Sequence, residues 1–322
     1  MNRGAIAAFH DLEPVEESFR EAVLEGLGAR PKAISSKFIY DARGSELFAA
    51  VTGVEEYYPT RTEMALLRAH GPEIAALAGA EATVVEFGSG ASDKARLLLE
   101  ALERPAVYVA VDISRQALLA TCAELAQSYP ELSVVAVCAD FTKPFALPDL
   151  GLAERGRRLG FFPGTTIGNL RPAESGAFLT MCRGLLQGGG LIIGADLKKD
   201  PVLLEAAYND ARGVNASFNL NLLARINREL GGDLDLAGFR HHAVYNRALG
   251  RMDIGIQSTR RQAATVLGRT FHFESGEILG TQVAYKFTVA EFQASARRAG
   301  LEPARVWQDD GGLFSVHYLR AP

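Results

Sequence analysis

Glu86-Phe87-Gly88-Ser89-Gly90-Ala91-Ser92 joins a short apolar run to a stretch of helical length. Glycines at such a junction let the backbone approach a ligand, and a helix N-terminus favours polar or anionic groups. The loop is not a full GxGxxG, because Asp93 stands where the third glycine would be. Asp112 closes the next apolar run, 24 residues after Gly88. Doubly wound folds place a carboxylate there to hold ribose hydroxyls. After a third run comes Ala139-Asp140-Phe141, a carboxylate that can accept from an exocyclic amine beside a ring with an apolar face. Taken singly, Glu86 reads as a structural acid, Asp112 as a helix cap and Phe141 as core. On consecutive strand ends they point together to an adenosine-containing cofactor. Nicotinamide dinucleotide and S-adenosylmethionine both qualify, and the missing third glycine leans toward the second.

The elements that must position these residues are legible between 83 and 197. Thr83–Phe87, Val107–Val111, Ser133–Cys138 and Gly190–Ala195 are short, apolar and mostly β-branched, as in strands buried on both faces of a parallel sheet. Segments 92–102, 114–128 and 172–187 have helical length, and Leu118, Leu119, Cys122 and Leu125 make one apolar stripe. Alternating strand and helix predicts an α/β doubly wound sheet with right-handed crossovers. Residues 1–61 read as helix, a polar irregular stretch at 35–43, then helix; residues 200–231 read as mainly helical. Alternation over 238–258 and 267–287 predicts half-buried antiparallel strands. The C-terminus reads as a helix from Val289 to Ala299 and two strands joined by a turn at Asp309-Asp310-Gly311-Gly312. A closing antiparallel strand also leans toward a methyltransferase sheet.

Composition narrows the partners. In 322 residues the net charge is −4, which supplies no basic field for non-specific nucleic-acid binding. No apolar run reaches the roughly 18 residues of a membrane span, and the acidic N-terminus lacks the basic and apolar regions of a signal peptide. A cytoplasmic protein without membrane partners is expected. Cys122, Cys138 and Cys182 form no CxxC pair and read as buried thiols. The six histidines form no HExxH or HxH cluster, and His241 and His242, adjacent in a strand-like segment, face opposite sides. No metal is expected.

Three further strings are long and unusual: Phe38-Ile39-Tyr40-Asp41-Ala42-Arg43-Gly44-Ser45-Glu46-Leu47-Phe48, Glu56-Tyr57-Tyr58-Pro59-Thr60-Arg61-Thr62-Glu63, and Thr166-Ile167-Gly168-Asn169-Leu170. With the glycine loop they resemble the histidine Nα-methyltransferases of ergothioneine biosynthesis, from about residue 15 to the C-terminus. The resemblance implies a class I, Rossmann-like methyltransferase sheet with an antiparallel last strand, plus an α+β substrate-binding domain. Residues 1–61 and 198–285 would form the substrate-binding domain; 62–197 and 286–322 would bind S-adenosylmethionine, released as S-adenosylhomocysteine. It implies that Gly88, Lys94, Asp112, Asp140 and Phe141 contact the cofactor, alongside Glu86, Ser89 and Gly90 of the loop. Tyr57, Asn169 and Tyr208 match positions that hold the amine and carboxylate of a free amino acid, with Gly164 on the same loop as Asn169. Tyr57 and Asn169 would orient the nitrogen during transfer. Tyr40 and Phe48 match positions lining the side-chain end.

The sequence departs from the family at that end. Members that use histidine carry a glutamate and a serine before a Lys-Phe pair, where this chain has Gln282 and Ala284. A methionine expected against the imidazole corresponds to Ile254, with Met252 two residues away. Glutamine keeps the acceptor but loses the charge, so the site is less polar than a histidine site. Fungal relatives methylate tryptophan-derived amines, which makes a tryptophan-like substrate the alternative to histidine. A silent relative that binds the cofactor and serves as a partner module is a third reading, opposed by the retained tyrosines and Asn169.

Overall fold

The structure is a computed structural model that describes residues 4–14, 18–89, 92–150 and 156–322. The chain divides into two compact units: Met1–Val15, Arg61–Leu197 and Phe287–Pro322 form one, Glu16–Thr60 and Lys198–Lys286 the other. Elements are numbered along the chain.

The first unit is an eight-stranded sheet. Its strands are β1 (Ala8–Asp11), β2 (Thr83–Phe87), β3 (Val107–Asp112), β4 (Ser133–Cys138), β5 (Arg158–Phe162), β6 (Gly190–Asp196), β12 (Glu302–Gln308) and β13 (Phe314–Arg320). They lie in the order β1-β4-β3-β2-β5-β6-β13-β12. Strands β1 to β6 are mutually parallel, while β13 runs antiparallel to both β6 and β12. The order reverses at β2, so the carboxyl ends of β2, β3 and β4 lie side by side where such sheets bind ligands. That is the class I methyltransferase arrangement with its antiparallel last strand.

The period of two divides each strand between the faces. Val84, Tyr108, Ala110, Val134 and Ala136 pack against helices α3 (Tyr58–Ala78, this unit from Arg61), α4 (Ser92–Ala101) and α5 (Arg115–Ser128). On the other face Val85, Val109, Val111, Val135 and Val137 pack against α6 (Pro172–Leu185) and α9 (Val289–Arg298). Burial on both faces is why these strands read as unbroken apolar runs. The turn between β12 and β13 closes as expected, with Gly312 in the left-handed region and Asp309 accepting from the N–H groups of Leu313 and Phe314.

Of the N-terminal segment expected in the substrate-binding domain, residues 4–14 belong instead to the sheet unit. Ala8–Asp11 adds an edge strand, held by Ala7 N–H to Val134 O at 2.7 Å and Leu12 N–H to Cys138 O at 3.0 Å. Four residues are too few to show a periodicity. Strand β5 also lacks a clean signal, since Gly160 interrupts it. A Cβ there would sit 2.5 Å from a Leu186 methyl, so a side chain would force the packed leucines to shift.

The second unit combines α1 (Phe19–Gly28), α2 (Ala42–Thr52), α7 (Pro201–Tyr208) and α8 (Val214–Leu230) with two small sheets. One has the order β11-β8-β7, from β7 (Phe239–Asn246), β8 (Arg251–Ser258) and β11 (Ile278–Tyr285); β9 (Gln262–Val266) and β10 (Arg269–Phe273) pair as a hairpin. All pairs are antiparallel. The polar stretch at 35–43 has a local purpose. Asp41 caps α2 by accepting from Gly44 N–H at 2.7 Å, and it also accepts from Asn221 at 2.8 Å and from Arg228. Burial opposes ionisation, but these donors hold the Asp41 carboxyl below its ordinary range. Gly44 must be glycine, because a Cβ would lie 1.7 Å from Ile39 O.

Among the described residues no helix is long and apolar enough to cross a membrane, and no group of three His, Cys, Asp or Glu side chains is placed to hold a metal. The three cysteines are buried thiols, none of them in a disulfide.

Candidate active site

In the sheet unit, Gly88, Asp112 and Asp140 stand at or just past three adjacent strand ends. Gly88 N–H donates to Val111 O at 2.8 Å, and Ala139 N–H to Asp112 O at 3.0 Å, which locks the three ends in register. Gly88 has φ +81°, and a Cβ on it would touch the Phe141 ring at 3.5 Å. Phe141 in turn packs edge-on against Phe162 at 5.7 Å. The absent side chain and the ring thus border one cradle. Asp112 accepts from Ser114 N–H at 2.9 Å; burial raises its pKa, opposed by that bond and by the N–H groups of Ile113 and Ser89. Asp140 accepts from Thr142 Oγ1 at 2.6 Å and lies 3.5 Å from Lys143 Nζ. Gly90 lies outside the described residues.

Two buried oxygens at this end, Ser89 Oγ and Asn169 Oδ1, have no hydrogen-bond partner among the described residues. Leaving a buried acceptor unmade costs about 1–3 kcal/mol, so such atoms mark places a polar ligand completes. Asn169 closes the 3₁₀ turn Thr166–Asn169 that follows β5.

Glu63 is a site residue that sequence reasoning missed. It is 1% exposed, bonds Lys94 Nζ at 2.5 Å and accepts from Gly164 N–H with both oxygens, at 2.7 and 2.9 Å. It therefore ties the lysine of α4 to the loop after β5. Gly164 has φ +84°, a conformation that favours glycine. The signal was available: Glu63 shares a helical stripe with the buried Leu66, Leu67 and Ile74, and a carboxylate there needs a reason.

Glu86, read both as the end of the first strand and as part of the cofactor loop, lies in β2. It is 1% exposed within β2, and the Tyr108 hydroxyl donates to its carboxyl. Burial pushes its pKa up to about 8; Tyr108 and Lys94 oppose that, while the charges of Asp112 and Glu63 add to it. In the unfolded chain this carboxyl ionises near 4.5. Its favourable contribution is therefore complete below that pH and is lost as pH rises through about 8. Glu86→Gln is expected to flatten the fall in thermal stability between about pH 5 and 8, by at least about 2 °C in Tm by calorimetry. An equal slope in both proteins would mean that Glu86 is ionised throughout.

The second unit gathers the predicted tyrosines. Tyr57 and Tyr208 meet edge to face with centroids 6.3 Å apart, and both are buried. Lys286, 2% exposed, donates from Nζ to Tyr208 Oη at 2.9 Å. Tyr40 packs on Phe48 at 5.4 Å, and Phe218 of α8, not foreseen, completes a triangle at 5.2 Å to Tyr40 and 5.6 Å to Phe48. Enclosure of its hydroxyl, then the nearby phenols of Tyr57 and Tyr208, raise the Tyr40 pKa, although the residue as a whole is 40% exposed.

Strand register settles which residues share a face of the three-stranded sheet. Gln282 lies opposite Ile254, Ala284 opposite Met252, and Ala243 and His241 of β7 opposite Ile254 and Ile256. With a period of two, Gln282, Ala284, Ile254 and Met252 all point to the side carrying His241. That side faces α8, since Asn219 Nδ2 lies 3.0 Å from His241 Nδ1. Met252 and Ile254 are thus equivalent by face and differ only in height along the strand.

Residues 19–321 match the family of histidine-specific, S-adenosylmethionine-dependent methyltransferases. A histidine N-alpha-methyltransferase of Mycobacterium tuberculosis is 40% identical over 305 residues, covering 93% of this chain and 94% of that one. Its counterpart of the same name in Mycolicibacterium smegmatis is 39% identical over 319 residues, covering 97% and 98%. Ergothioneine biosynthesis protein 1 of Neurospora crassa is 28% identical over 299 residues, 90% of this chain but 33% of that longer protein. With that family match spanning both units, the chain belongs to the histidine-specific, S-adenosylmethionine-dependent methyltransferases.

Proposed function

We propose that this protein transfers methyl groups from S-adenosylmethionine to the α-amine of a free amino acid, L-histidine, giving the trimethylated betaine of ergothioneine biosynthesis. The observation that carries this reading is the Tyr57–Tyr208 pair backed by the Lys286 ammonium. A zwitterion needs donors for its carboxylate and acceptors for its ammonium, and phenols provide both. The names of the mycobacterial relatives support histidine, and that of the fungal relative supports the pathway.

The sheet unit fits the cofactor. Asp112 would hold the ribose hydroxyls; Asp140 and Phe141 would take the adenine; Gly88, Ser89 and Lys94 would border the remainder. Glu86, spent on Tyr108 inside the sheet, would shape the loop and not touch the ligand. Bound S-adenosylmethionine supplies a methyl group already activated on a sulfonium. What remains for the protein is alignment, exclusion of water and removal of one proton per round. Tyr57 and Asn169 would orient the nitrogen, Tyr57 passing its proton toward water. Tyr208, whose oxygen accepts from the Lys286 ammonium, would present its hydroxyl to the carboxylate. As N–H groups disappear with each methylation, these neutral partners release the nitrogen more readily than a carboxylate would.

A second reading rests on the face shared by Gln282, Ala284, Ile254 and Met252. Ala284 is 1% exposed and offers no polar atom where a serine is expected for histidine. The same chemistry on a tryptophan-like amine follows if that face receives an apolar side chain. Mass spectrometry after incubation with S-adenosylmethionine and a panel of histidine, tryptophan and related amines separates the two. Three methyl groups gained by histidine with saturable kinetics is the expected result. No product from histidine overturns the first reading, and methylation of another amine establishes the second.

A further inference from the structure

In the second unit a single chain of hydrogen bonds runs from β11 to the end of α7. Thr281 Oγ1 donates to Asn219 Oδ1 at 2.7 Å. Asn219 Nδ2 faces His241 Nδ1 at 3.0 Å and donates to Gly255 O at 2.7 Å. His241 Nε2 faces Tyr208 O at 2.9 Å. Thr281 and Asn219 are 5% and 2% exposed, so water does not compete for them.

The partners dictate the polarity of every link. Gly255 O and Tyr208 O are carbonyls and can only accept. Asn219 must therefore turn its NH2 toward Gly255 and His241, leaving its oxygen for Thr281. His241 must be the neutral tautomer that carries hydrogen on Nε2 and accepts at Nδ1. A flipped Asn219 would set two carbonyl oxygens against each other at Gly255. Burial, which lowers the His241 pKa, favours the same neutral form.

Both ends of the chain fall at the residues assigned to the amino acid. Tyr208 is the last residue of α7, where helix carbonyls lack intrahelical partners. His241 supplies the missing donor. At the other end, Thr281 lies in the register shift of β11 between Gly280 and Gln282, directly before the residue that meets the substrate's side chain. The extra residue turns its hydroxyl toward α8 while Gln282 stays opposite Ile254. We propose that His241 is a positioning residue for amino-acid recognition, holding the Tyr208 backbone at a fixed spacing from the Gln282 strand through Asn219 and Thr281. The proposal rests on the reading that Tyr208 and Gln282 contact the amino acid.

His241→Phe keeps a ring of similar size and removes both nitrogens. It is expected to raise KM for the amino acid about tenfold, with kcat and the Kd for S-adenosylhomocysteine each within about twofold. His241→Gln can place its amide nitrogen where Nε2 stood, and is expected to recover most of the loss. A KM unchanged in His241→Phe, or a glutamine variant as impaired as the phenylalanine one, overturns the proposal. Independently of turnover, long-range 15N–1H NMR of the wild type is expected to show His241 as the neutral Nε2–H tautomer at neutral pH, and Asn219→Asp to abolish that signature. An Nδ1–H or protonated His241 in the wild type also overturns it. A wild type that methylates no amine of the panel overturns the functional reading, and this role with it, even where the NMR signature shows the chain itself intact.

Discussion

Tyr57→Phe is expected to lower kcat about 100-fold while leaving the affinity for S-adenosylhomocysteine within about twofold. The substitution removes one oxygen and keeps the ring. Tyr57 is 6% exposed and packs edge to face on Tyr208 at 6.3 Å, contacts that phenylalanine reproduces. What is lost is the acceptor proposed to orient the amine and the path for its proton. Positioned groups that move protons contribute about 10²–10⁴-fold, and the lower end applies because water can take the proton instead. The proposed cofactor contacts all lie in the sheet unit, at the ends of β2, β3 and β4 and on α4, whereas Tyr57 belongs to the other unit. Steady-state kinetics on the best amine, with calorimetric titration of S-adenosylhomocysteine, reads both quantities. An unchanged kcat removes Tyr57 from the mechanism; a parallel loss of cofactor affinity makes its role structural.

The contrast between the units explains what could be read from the sequence. The sheet was legible because β2, β3, β4 and β6 are buried on both faces and so appear as β-branched runs closed by glycine, aspartate or cysteine. Their carboxyl ends then fix where Gly88, Asp112 and Phe141 must converge, and a Cβ on Gly88 would lie 3.5 Å from the Phe141 ring. The edge strand β1 was not legible: it is four residues long and takes its order from β4. In the second unit the alternation over 238–258 and 267–287 gave strands but not which face was inward. That depended on the register shift at Thr281, which no local pattern encodes. Glu63, Phe218 and His241 escaped for a shared reason. Each acts on a group distant in sequence: Glu63 on Gly164, 101 residues away, and His241 on Tyr208, 33 residues away. Residue type alone marked only Glu63, as an acid on an apolar helical stripe.

The same register carries the second large effect. Gln282→Glu combined with Ala284→Ser is expected to raise kcat/KM for histidine, relative to tryptophan, by about tenfold or more. Gln282 and Ala284 lie opposite Ile254 and Met252, two positions apart on the side that faces α8, so both new polar groups would enter the same space. A carboxylate accepts from an imidazole N–H through a charge-assisted bond of about 1.5–3 kcal/mol, against about 1 kcal/mol for the neutral amide. That difference is at least part of a tenfold change, and the serine hydroxyl adds a second partner. Tryptophan gains nothing comparable, since its indole has one donor and a large apolar surface that the new charge opposes. Competition between equal histidine and tryptophan, read by mass spectrometry, measures the ratio directly. Ala284 is 1% exposed, so a serine without a partner there would also lower Tm. A doubly substituted protein that loses stability and gains no preference for histidine would show that the side chain of the substrate does not reach this face. A gain with stability recovered on adding histidine would show that the substrate itself satisfies both groups.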